Sequence, residues 1–247
     1  MKAIILAAGL GTRLKKITDN KPKALIEING KTMLETVIQN LKNQGVYNFL
    51  INIHHLGQSI IDYLTENNNF GVNISISDER QLLLDTGGAI LNAQKFISGN
   101  EPILVHNVDI ISNINIQNLV ASHKNDNSIA TLCVRKRNSQ RALLFNNSMH
   151  LIGWCNLGTN EFRWSTTPHK EFEMYAFSGI YIIEPEFIDH ITLKGKFSII
   201  DAWLEIVKNN TYSPVRTGII SGYIDKSEIW HDLGTIEKIN IAKQTSR

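Results

Sequence analysis

Apolar and polar positions alternate along the first half of the chain in the rhythm of a β/α protein. Residues 2–8 form an unbroken apolar run, which is typical of a strand buried on both faces of a parallel sheet. Later runs predict strands at 46–53, 72–77, 102–108 and 128–135, and helices at 33–41, 56–64, 89–93 and 116–123. This order indicates a mixed, mainly parallel sheet with helices on both faces.

The first predicted helix carries its own start and stop signals. Thr32, with Glu35 three residues later, forms a capping box, and Gly45 is expected to end the helix. Residues 9–31 lie between the first strand and this helix. They are polar, basic and punctuated by Pro22 and Gly30, so we expect a loop there.

The pattern changes after residue 135. Turn residues at 146–148 separate two short apolar runs, which predicts a hairpin. The remaining elements are strands at 142–145, 150–154, 172–183 and 215–224 and helices at 199–207 and 235–243. No linker or repeat marks a second domain, so we expect one domain, 1–247, with halves at 1–135 and 136–247.

Composition and charge describe an ordinary globular chain with one basic region. Of its 247 residues 43% are apolar, and the net charge of +2 argues against a protein that coats nucleic acid. Residues 1–31 carry seven basic and two acidic side chains, a local charge of +5, which leaves −3 for the remainder. Positive charge confined to one short segment suits a small anionic ligand.

The two cysteines, Cys133 and Cys155, fit neither a metal-ligand spacing nor a disulfide framework. Two free thiols favour a reducing compartment, and the first residues lack the pattern of a signal peptide. No apolar run approaches the ~20 residues that cross a bilayer. We therefore expect a cytoplasmic protein with no membrane or nucleic-acid partner, whose oligomeric state, including a homo-oligomer, is open.

The strand at 2–8 runs directly into a glycine turn, Gly9-Leu-Gly11-Thr-Arg13. Such a turn exposes backbone N–H groups, and basic side chains behind it favour an anion. It is not a Walker A loop, since no Gly-Lys-Ser/Thr follows four residues after a Gly, and it is not a dinucleotide fingerprint, since Leu14 replaces the third glycine. A lone Gly-x-Gly is also typical of an ordinary strand-to-helix turn. Arg13 and Lys23 favour the phosphate interpretation.

These segments resemble a known family. The opening signature of sugar-1-phosphate nucleotidyltransferases is similar to Leu6-Ala-Ala-Gly-x-Gly-Thr-Arg-Leu14, followed by Pro22-Lys23-x-Leu25 and Gly30-Lys31-x-Met33-Leu34-Glu35. The similarity continues at Thr86-Gly87-Gly88, Asp109, Phe177-Ser178-Gly179 and Trp230-x-Asp232-x-Gly234-Thr235. The short length and the Thr-Gly-Gly turn look most like the N-acetylmuramate-1-phosphate uridylyltransferases, with mannose-1-phosphate guanylyltransferases close behind.

The resemblance implies a Rossmann-like nucleotidyltransferase fold, related to that of GT-A glycosyltransferases, and substrates that are an NTP, UTP being favoured, and a sugar 1-phosphate. The sugar phosphate would attack the α-phosphorus in line and release pyrophosphate, so positioning and electrostatics would supply most of the catalysis. Arg13 would stabilise the departing pyrophosphate and Lys23 the α-phosphate. The implied nucleotide-binding residues, all in the half 1–135, are Leu6, Ala7, Ala8, Gly9, Gly11, Thr12, Arg13, Lys23, Thr86, Gly87, Gly88 and Asp109.

The resemblance also implies a cofactor and a sugar site. Asp109 and Asp232 would hold Mg²⁺, which prefers carboxylate oxygens, phosphates and waters. Either aspartate could instead cap a helix. The half 136–247 would bind the sugar through Ser178, Gly179 and Asp201, although a strand bulge also explains the first two.

Two other classes of protein remain open. A GT-A glycosyltransferase would use an Asp-x-Asp metal motif, but Asn107 stands at its first position and the pair Arg13 and Lys23 would have no role. A nucleotide-sensing subunit without activity would be expected to have lost its catalytic charges, yet Asp109 and Asp232 are both present. The base and the sugar cannot be assigned from these motifs.

Overall fold

A computed structural model describes residues 1–210 and 219–245, apart from the side chains of Lys15, Lys16 and Thr245. In chain order the strands are β1 (Lys2–Leu6), β2 (Glu27–Ile28), β3 (Lys31–Thr32), β4 (Asn48–Ile53), β5 (Asn73–Asp78), β6 (Ile103–Asn107), β7 (Ile110–Ser112), β8 (Ala130–Arg135), β9 (Arg141–Phe145), β10 (Leu151–Asn156), β11 (Glu161–Trp164), β12 (Glu173–Ile183), β13 (Ile220–Ile224) and β14 (Trp230–Asp232). The helices are α1 (Met33–Lys42), α2 (Gly57–Glu66), α3 (Asp85–Asn92), α4 (Gln94–Ile97), α5 (Ile116–Asp126), α6 (Ile199–Asn210) and α7 (Ile236–Thr245).

The chain divides into two compact units that interleave along the sequence. The first unit comprises Met1–Asp85, Leu104–Asn115 and Ser227–Arg247, and the second comprises Thr86–Ile103 and Ile116–Lys226. Across the residues that the structure describes, no helix is both long and apolar enough to span a bilayer.

The first unit is built on four neighbouring strands in the order β6-β1-β4-β5. β1 and β4 pair in parallel, as do β4 and β5, which confirms the parallel arrangement predicted for these strands. Ala3, Ile4 and Ile5 of β1 are almost fully buried, because the strand is covered on both faces. Two short antiparallel pairs, β2–β3 and β7–β14, lie off this sheet.

Helix α1 follows the predicted capping signal. The Thr32 hydroxyl accepts the backbone N–H of Glu35 at 3.0 Å, and the apolar face of the helix is buried. The helix runs to Lys42, and Asn43 still donates its N–H to the Gln39 carbonyl at 3.0 Å. Gly45, with a φ of +86°, then stops the helix as predicted: its N–H donates to the Lys42 carbonyl at 2.9 Å, and the Val46 N–H donates to the Leu41 carbonyl at 3.1 Å.

The second unit is mostly antiparallel. Strands β11-β10-β9-β12 are antiparallel neighbours, β12 also pairs with β8, and β8 pairs in parallel with β13. The predicted hairpin is β9–β10. Aromatic rings of Phe177, Tyr181 and Trp203 pack edge to face or tilted in the core of this unit, with centroids 5.1 to 6.0 Å apart.

The loop predicted between β1 and α1 differs from the structure. The segment 9–31 contains two 3₁₀ helices, Thr12–Thr18 and Lys23–Leu25, and the β2–β3 hairpin, because these elements are too short to show periodicity. The strand predicted at 172–183 is β12, and its register shift between Phe177 and Tyr181 matches the strand bulge considered at Ser178-Gly179. Within the strand predicted at 215–224, residues 220–224 form β13, and residues 215–218 lie outside the described residues.

Candidate active site

The glycine turn that follows β1 has open space beside Gly9. A Cβ added to Gly9 would meet no atom within 4 Å, and Gly9 and Thr12 are exposed. Gly11 has the opposite environment, since its φ is +64° and a Cβ there would lie 2.7 Å from Thr18 Cγ2. Glycine is therefore required at position 11 by conformation and packing, whereas position 9 presents free space.

Hydrogen bonds to neighbouring segments fix the backbone groups at the start of this turn. The N–H groups of Ala7 and Ala8 donate to Asn52 Oδ1 at 2.7 and 3.2 Å, and the Leu6 carbonyl accepts the Val108 N–H at 3.1 Å. The start of the turn, where Ala7 and Ala8 are predicted to bind the nucleotide, is thus fixed to β4 and to Val108, the residue after β6.

Lys23 and Asp109 form an ion pair next to the turn. Lys23 Nζ donates to Asp109 Oδ2, and the two side chains are only 10% and 18% exposed. Pro22 precedes a single 3₁₀ turn whose residues are buried, so the backbone around Lys23 is rigidly placed. A largely buried ammonium paired with one carboxylate is poised to exchange that partner for a phosphate oxygen.

Asp232, the second predicted metal ligand, is placed near Asp109 by the pairing of β14 with β7. The sequence patterns do not predict this pair of strands. β14 runs antiparallel to β7 with Asp232 opposite Ile110, and the Leu233 N–H donates to the Asp109 carbonyl at 2.8 Å. Asp109, the residue before β7, thus lies beside Leu233, and Lys23, which pairs with Asp109, is close enough for its charge to act on Asp232, although most of the chain separates the two aspartates in sequence.

Arg13 approaches Asp232 over a glycine. A Cβ added to Gly234 would lie 2.9 Å from Arg13 Nη2 and 2.8 Å from Asp232 Oδ1. The Gly234 N–H donates to the same carboxylate oxygen at 2.9 Å. The absence of a side chain at Gly234 therefore leaves space for both the Arg13 guanidinium and the Asp232 carboxylate, and any side chain there would displace one of them.

Asp232 is ionised in the neutral range. Burial opposes its negative charge, but the Lys238 hydrogen bond and charge, the Gly234 N–H and the charge of Lys23 together lower the pKa of Asp232 below 3.8. Lys238, on α7, contacts Asp232 Oδ2, so the carboxylate already carries a cationic partner.

The donor set of this cluster fits a divalent cation shared with phosphates. Asp109 and Asp232 supply hard carboxylate oxygens, and Mg²⁺ takes one or two carboxylates together with phosphate oxygens and waters. Within residues 1–210 and 219–245 no group of three or more His, Cys, Asp or Glu side chains is arranged to hold a metal ion. A metal here would therefore depend on the substrate for its other ligands.

Thr86, Gly87 and Gly88 belong to the second unit and are organised around Phe197. A Cβ added to Gly87 would lie 2.4 Å from the Phe197 ring, and the N–H groups of both glycines donate to the Phe197 carbonyl at 2.9 and 3.3 Å. The Thr86 hydroxyl accepts the N–H of Ile199, the first residue of α6. The close approach that these glycines permit is thus an approach to the chain itself, and their role toward a nucleotide stays a prediction.

The predicted sugar residues also lie in the second unit. Ser178 is buried beside Cys133, and Gly179, with a φ of +78°, occupies the irregular part of β12. Asp201, in the first turn of α6, forms an ion pair of 2.7 Å with Arg163 on β11. Their assignment to the sugar stays a prediction.

Sequence reasoning missed Gly234 as a spacer, and it missed Lys238 and Asn52 altogether. Gly234 was visible as part of the Trp-x-Asp-x-Gly motif. Lys238 reads as a surface lysine in a charged helix, and Asn52 is a single polar residue in a predicted strand. Their roles depend on tertiary contacts that no local pattern encodes.

Comparisons with known proteins show the family of this chain. The family model described as Nucleotidyl transferase matches residues 2–143, more than half of the chain. The chain belongs to the nucleotidyl transferase family. This match confirms the resemblance drawn from the sequence motifs.

Similar proteins transfer nucleotides to sugar phosphates. The chain is 40% identical over 114 residues to N-acetylmuramate alpha-1-phosphate uridylyltransferase of Neisseria meningitidis serogroup B, covering 46% of this chain and 49% of that protein. It is 30% identical over 196 residues to mannose-1-phosphate guanyltransferase 2 of Candida glabrata, covering 78% and 53%. The chain thus spans about half the length of the curated relatives it matches.

A solved structure shares the whole fold of this nucleotidyl transferase. HddC from Yersinia pseudotuberculosis, in complex with GMP-PN, matches with a TM-score of 0.75 over 100% of this chain and 99% of its own. At 24% identity the likeness concerns the fold alone. It confirms the predicted class, a mixed, mainly parallel sheet with helices.

Proposed function

We propose that this nucleotidyl transferase joins a sugar 1-phosphate to a nucleoside triphosphate and releases pyrophosphate. The observation that carries the proposal is the convergence of two cations and two carboxylates, Lys23, Arg13, Asp109 and Asp232, beside an open glycine turn. Two polyanions must approach each other in this reaction, and such a cluster neutralises charge that develops between them.

Lys23 and Arg13 have different roles because they lie at different positions in the site. Lys23 leaves Asp109 for an α-phosphate oxygen and stabilises the charge that builds up as the sugar phosphate attacks. Arg13, at the exposed side over Gly234, holds the departing pyrophosphate. Their main contribution is to hold the reacting groups in line, since no protein nucleophile is needed.

Asp109 and Asp232 would hold Mg²⁺, which supplies Lewis-acid stabilisation of the phosphoryl oxygens. Nucleotidyltransferases of this family generally use a divalent metal. The ion pairs with Lys23 and Lys238 keep both carboxylates aligned until the substrate phosphates take up those lysines.

We infer that UTP and N-acetylmuramate 1-phosphate are the preferred substrates. Support comes from the 40% identity to the uridylyltransferase of Neisseria meningitidis. A second candidate is GTP with mannose 1-phosphate, supported by the longer alignment with the Candida glabrata guanyltransferase. The glycosyltransferase alternative would leave Arg13 and Lys23 without a role.

The test is a matrix of the four NTPs against a panel of sugar 1-phosphates, with pyrophosphate release as the readout. We expect release only when an NTP, a sugar 1-phosphate and Mg²⁺ are all present, with UTP and N-acetylmuramate 1-phosphate as the fastest pair. Fastest release with GTP and mannose 1-phosphate would select the second candidate. Absence of pyrophosphate with every pair, together with glycosyl transfer from an NDP-sugar, would refute nucleotidyl transfer.

A further inference from the structure

A chain of buried hydrogen bonds lies behind the glycine turn, away from the charged cluster. Its centre is Asn52, near the end of β4 and 4% exposed, and Glu79, just after β5 and 3% exposed. Asn52 Nδ2 donates to Glu79 Oε1 at 2.9 Å, while Asn52 Oδ1 accepts the N–H groups of Ala7 and Ala8. Two polar side chains in a sheet interior are retained only where their hydrogen bonds are satisfied.

Backbone N–H groups at both ends of this series of hydrogen bonds determine the direction of each bond. At one end the donors are the N–H groups of Ala7 and Ala8; at the other, the Leu84 N–H donates to Glu79 Oε2 at 3.2 Å. Asn52 must therefore present its oxygen to the turn and its amide N–H to Glu79. Both oxygens of Glu79 must act as acceptors, which requires the ionised carboxylate.

Glu79 is also anchored through its own backbone. Its N–H donates to the Ile53 carbonyl at 2.8 Å, and its carbonyl contacts His54 Nδ1 at 2.6 Å. The pair Asn52 and Glu79 thus ties the turn at Ala7-Ala8 and the segment 79–84 to the end of β4.

We propose that Asn52 and Glu79 are positioning residues that hold the glycine turn in the conformation that binds the triphosphate, acting through the N–H groups of Ala7 and Ala8. This inference rests on the proposed nucleotidyl transfer. Without the acceptor at Asn52, two buried N–H groups lose their partner, and the turn rotates to find water. The NTP then binds more weakly.

Burial of Glu79 makes the arrangement sensitive to charge. Burial raises the pKa of Glu79, an effect that the hydrogen bonds from Asn52 and Leu84 and the charge of His54 oppose and the charge of Asp85 reinforces. Because the folded-state pKa is raised, the ionised carboxylate costs folding stability at neutral pH. The buried charge of Glu79, which helps to hold the turn, thus lowers the folding stability, as expected for a positioning role.

Three variants and a control separate positioning from general stability. Asn52→Ala removes both acceptor and donor. Asn52→Asp keeps the acceptor but places a second carboxylate against Glu79, a pair that can share one proton. Glu79→Gln leaves one buried donor facing another donor whichever way its amide is turned. Leu50→Ala is the matched control, since Leu50 is 7% exposed on the same face of β4 and belongs to the apolar core.

The experiment measures UTP binding by calorimetry in the presence of Mg²⁺ and the KM of both substrates. We expect Asn52→Ala and Glu79→Gln to weaken UTP binding and raise its KM by about 10-fold, with the KM of the sugar 1-phosphate within about twofold of wild type. At about pH 8, Asn52→Asp is expected to bind UTP as weakly as Asn52→Ala does. At about pH 5.5, once the carboxylates share a proton, it should regain most of the UTP affinity of wild type at that pH. Leu50→Ala should lower the unfolding midpoint without this selective change.

Each outcome decides the proposal. Equal losses of affinity for both substrates, a loss no larger than that of Leu50→Ala, or no recovery of Asn52→Asp at low pH would overturn it. If wild type binds UTP but releases no pyrophosphate, nucleotidyl transfer fails, and the UTP affinities alone still decide the positioning role. If wild type binds no NTP, both fail. Should Asn52→Ala not fold, the comparison of Glu79→Gln with Asn52→Asp carries the same decision.

Discussion

Two glycine-rich turns in this chain look alike in sequence and differ in what they approach. The turn at Gly9-Leu-Gly11 leaves open space at Gly9 and is followed by two cations, Arg13 and Lys23. Gly87 and Gly88 lie in the first turn of α3, where Gly87 packs against the Phe197 ring and both N–H groups donate to the Phe197 carbonyl. A glycine therefore marks close approach, but only the surrounding charge and space indicate whether a ligand or the chain itself comes close.

The largest effect is expected at the cation beside the open turn. Lys23→Ala should lower turnover more than ~100-fold, because it removes a charge that stabilises the transition state. The measurement is pyrophosphate release at saturating substrates. Lys21→Ala is the matched control, since Lys21 lies in the same segment but pairs with Glu27 at the surface. Similar losses in both variants would show that the effect is not local to the pair with Asp109.

Exchanging the two glycines for alanine sharpens the comparison between the turns. Gly87→Ala should destabilise the fold by about 1–3 kcal/mol, because the added methyl would overlap the Phe197 ring. Gly9→Ala should change stability by less than about 0.5 kcal/mol, since nothing lies near its Cβ, but should weaken NTP binding. Denaturant unfolding and calorimetric NTP titration report the two effects. The interpretation fails if Gly9→Ala is the more destabilised variant.

A smaller effect is expected at Lys238, which contacts the Asp232 carboxylate. Lys238→Met should strengthen Mn²⁺ binding in the absence of nucleotide by about fivefold, because a competing cation is removed from a partly exposed site. Electron paramagnetic resonance of free Mn²⁺ measures this directly. Lys243→Met, on the same helix but exposed, serves as the control. Unchanged Mn²⁺ affinity would show that Asp232 takes no part in metal binding.

The smallest effect concerns the response of the charged region to acid. Because the pKa of Asp232 is lowered in the folded state, its contribution to stability is complete above 3.8 and is lost as pH falls below that value. Asp232→Asn should therefore reduce the loss of stability in this acidic window by less than about 1 kcal/mol and leave the slope near neutral pH unchanged. Urea unfolding at a series of pH values measures it. A change confined to neutral pH would contradict the assigned pKa.

The sequence predicts one of the two turns better than the other, and the reason is physical. β1 and the capped helix α1 follow from local patterns, since each depends on neighbours within a few residues, whereas the roles of Arg13, Lys23 and Asp109 rest on the resemblance to the family and stay predictions. The contact of Gly87 with Phe197 and the pairing of β14 with β7 join segments that are far apart in the chain. Strands of three residues carry too little periodicity to be found.

The central claim is that the cluster of Lys23, Asp109 and Asp232 is a centre of nucleotidyl transfer. Its most direct test is pyrophosphate release by Asp109→Asn and wild type, with the fastest NTP and sugar 1-phosphate pair and Mg²⁺. We predict a rate more than ~100-fold below wild type with an unchanged fold, because the variant keeps the shape of the side chain and loses its charge. A rate within a few-fold of wild type would contradict the claim.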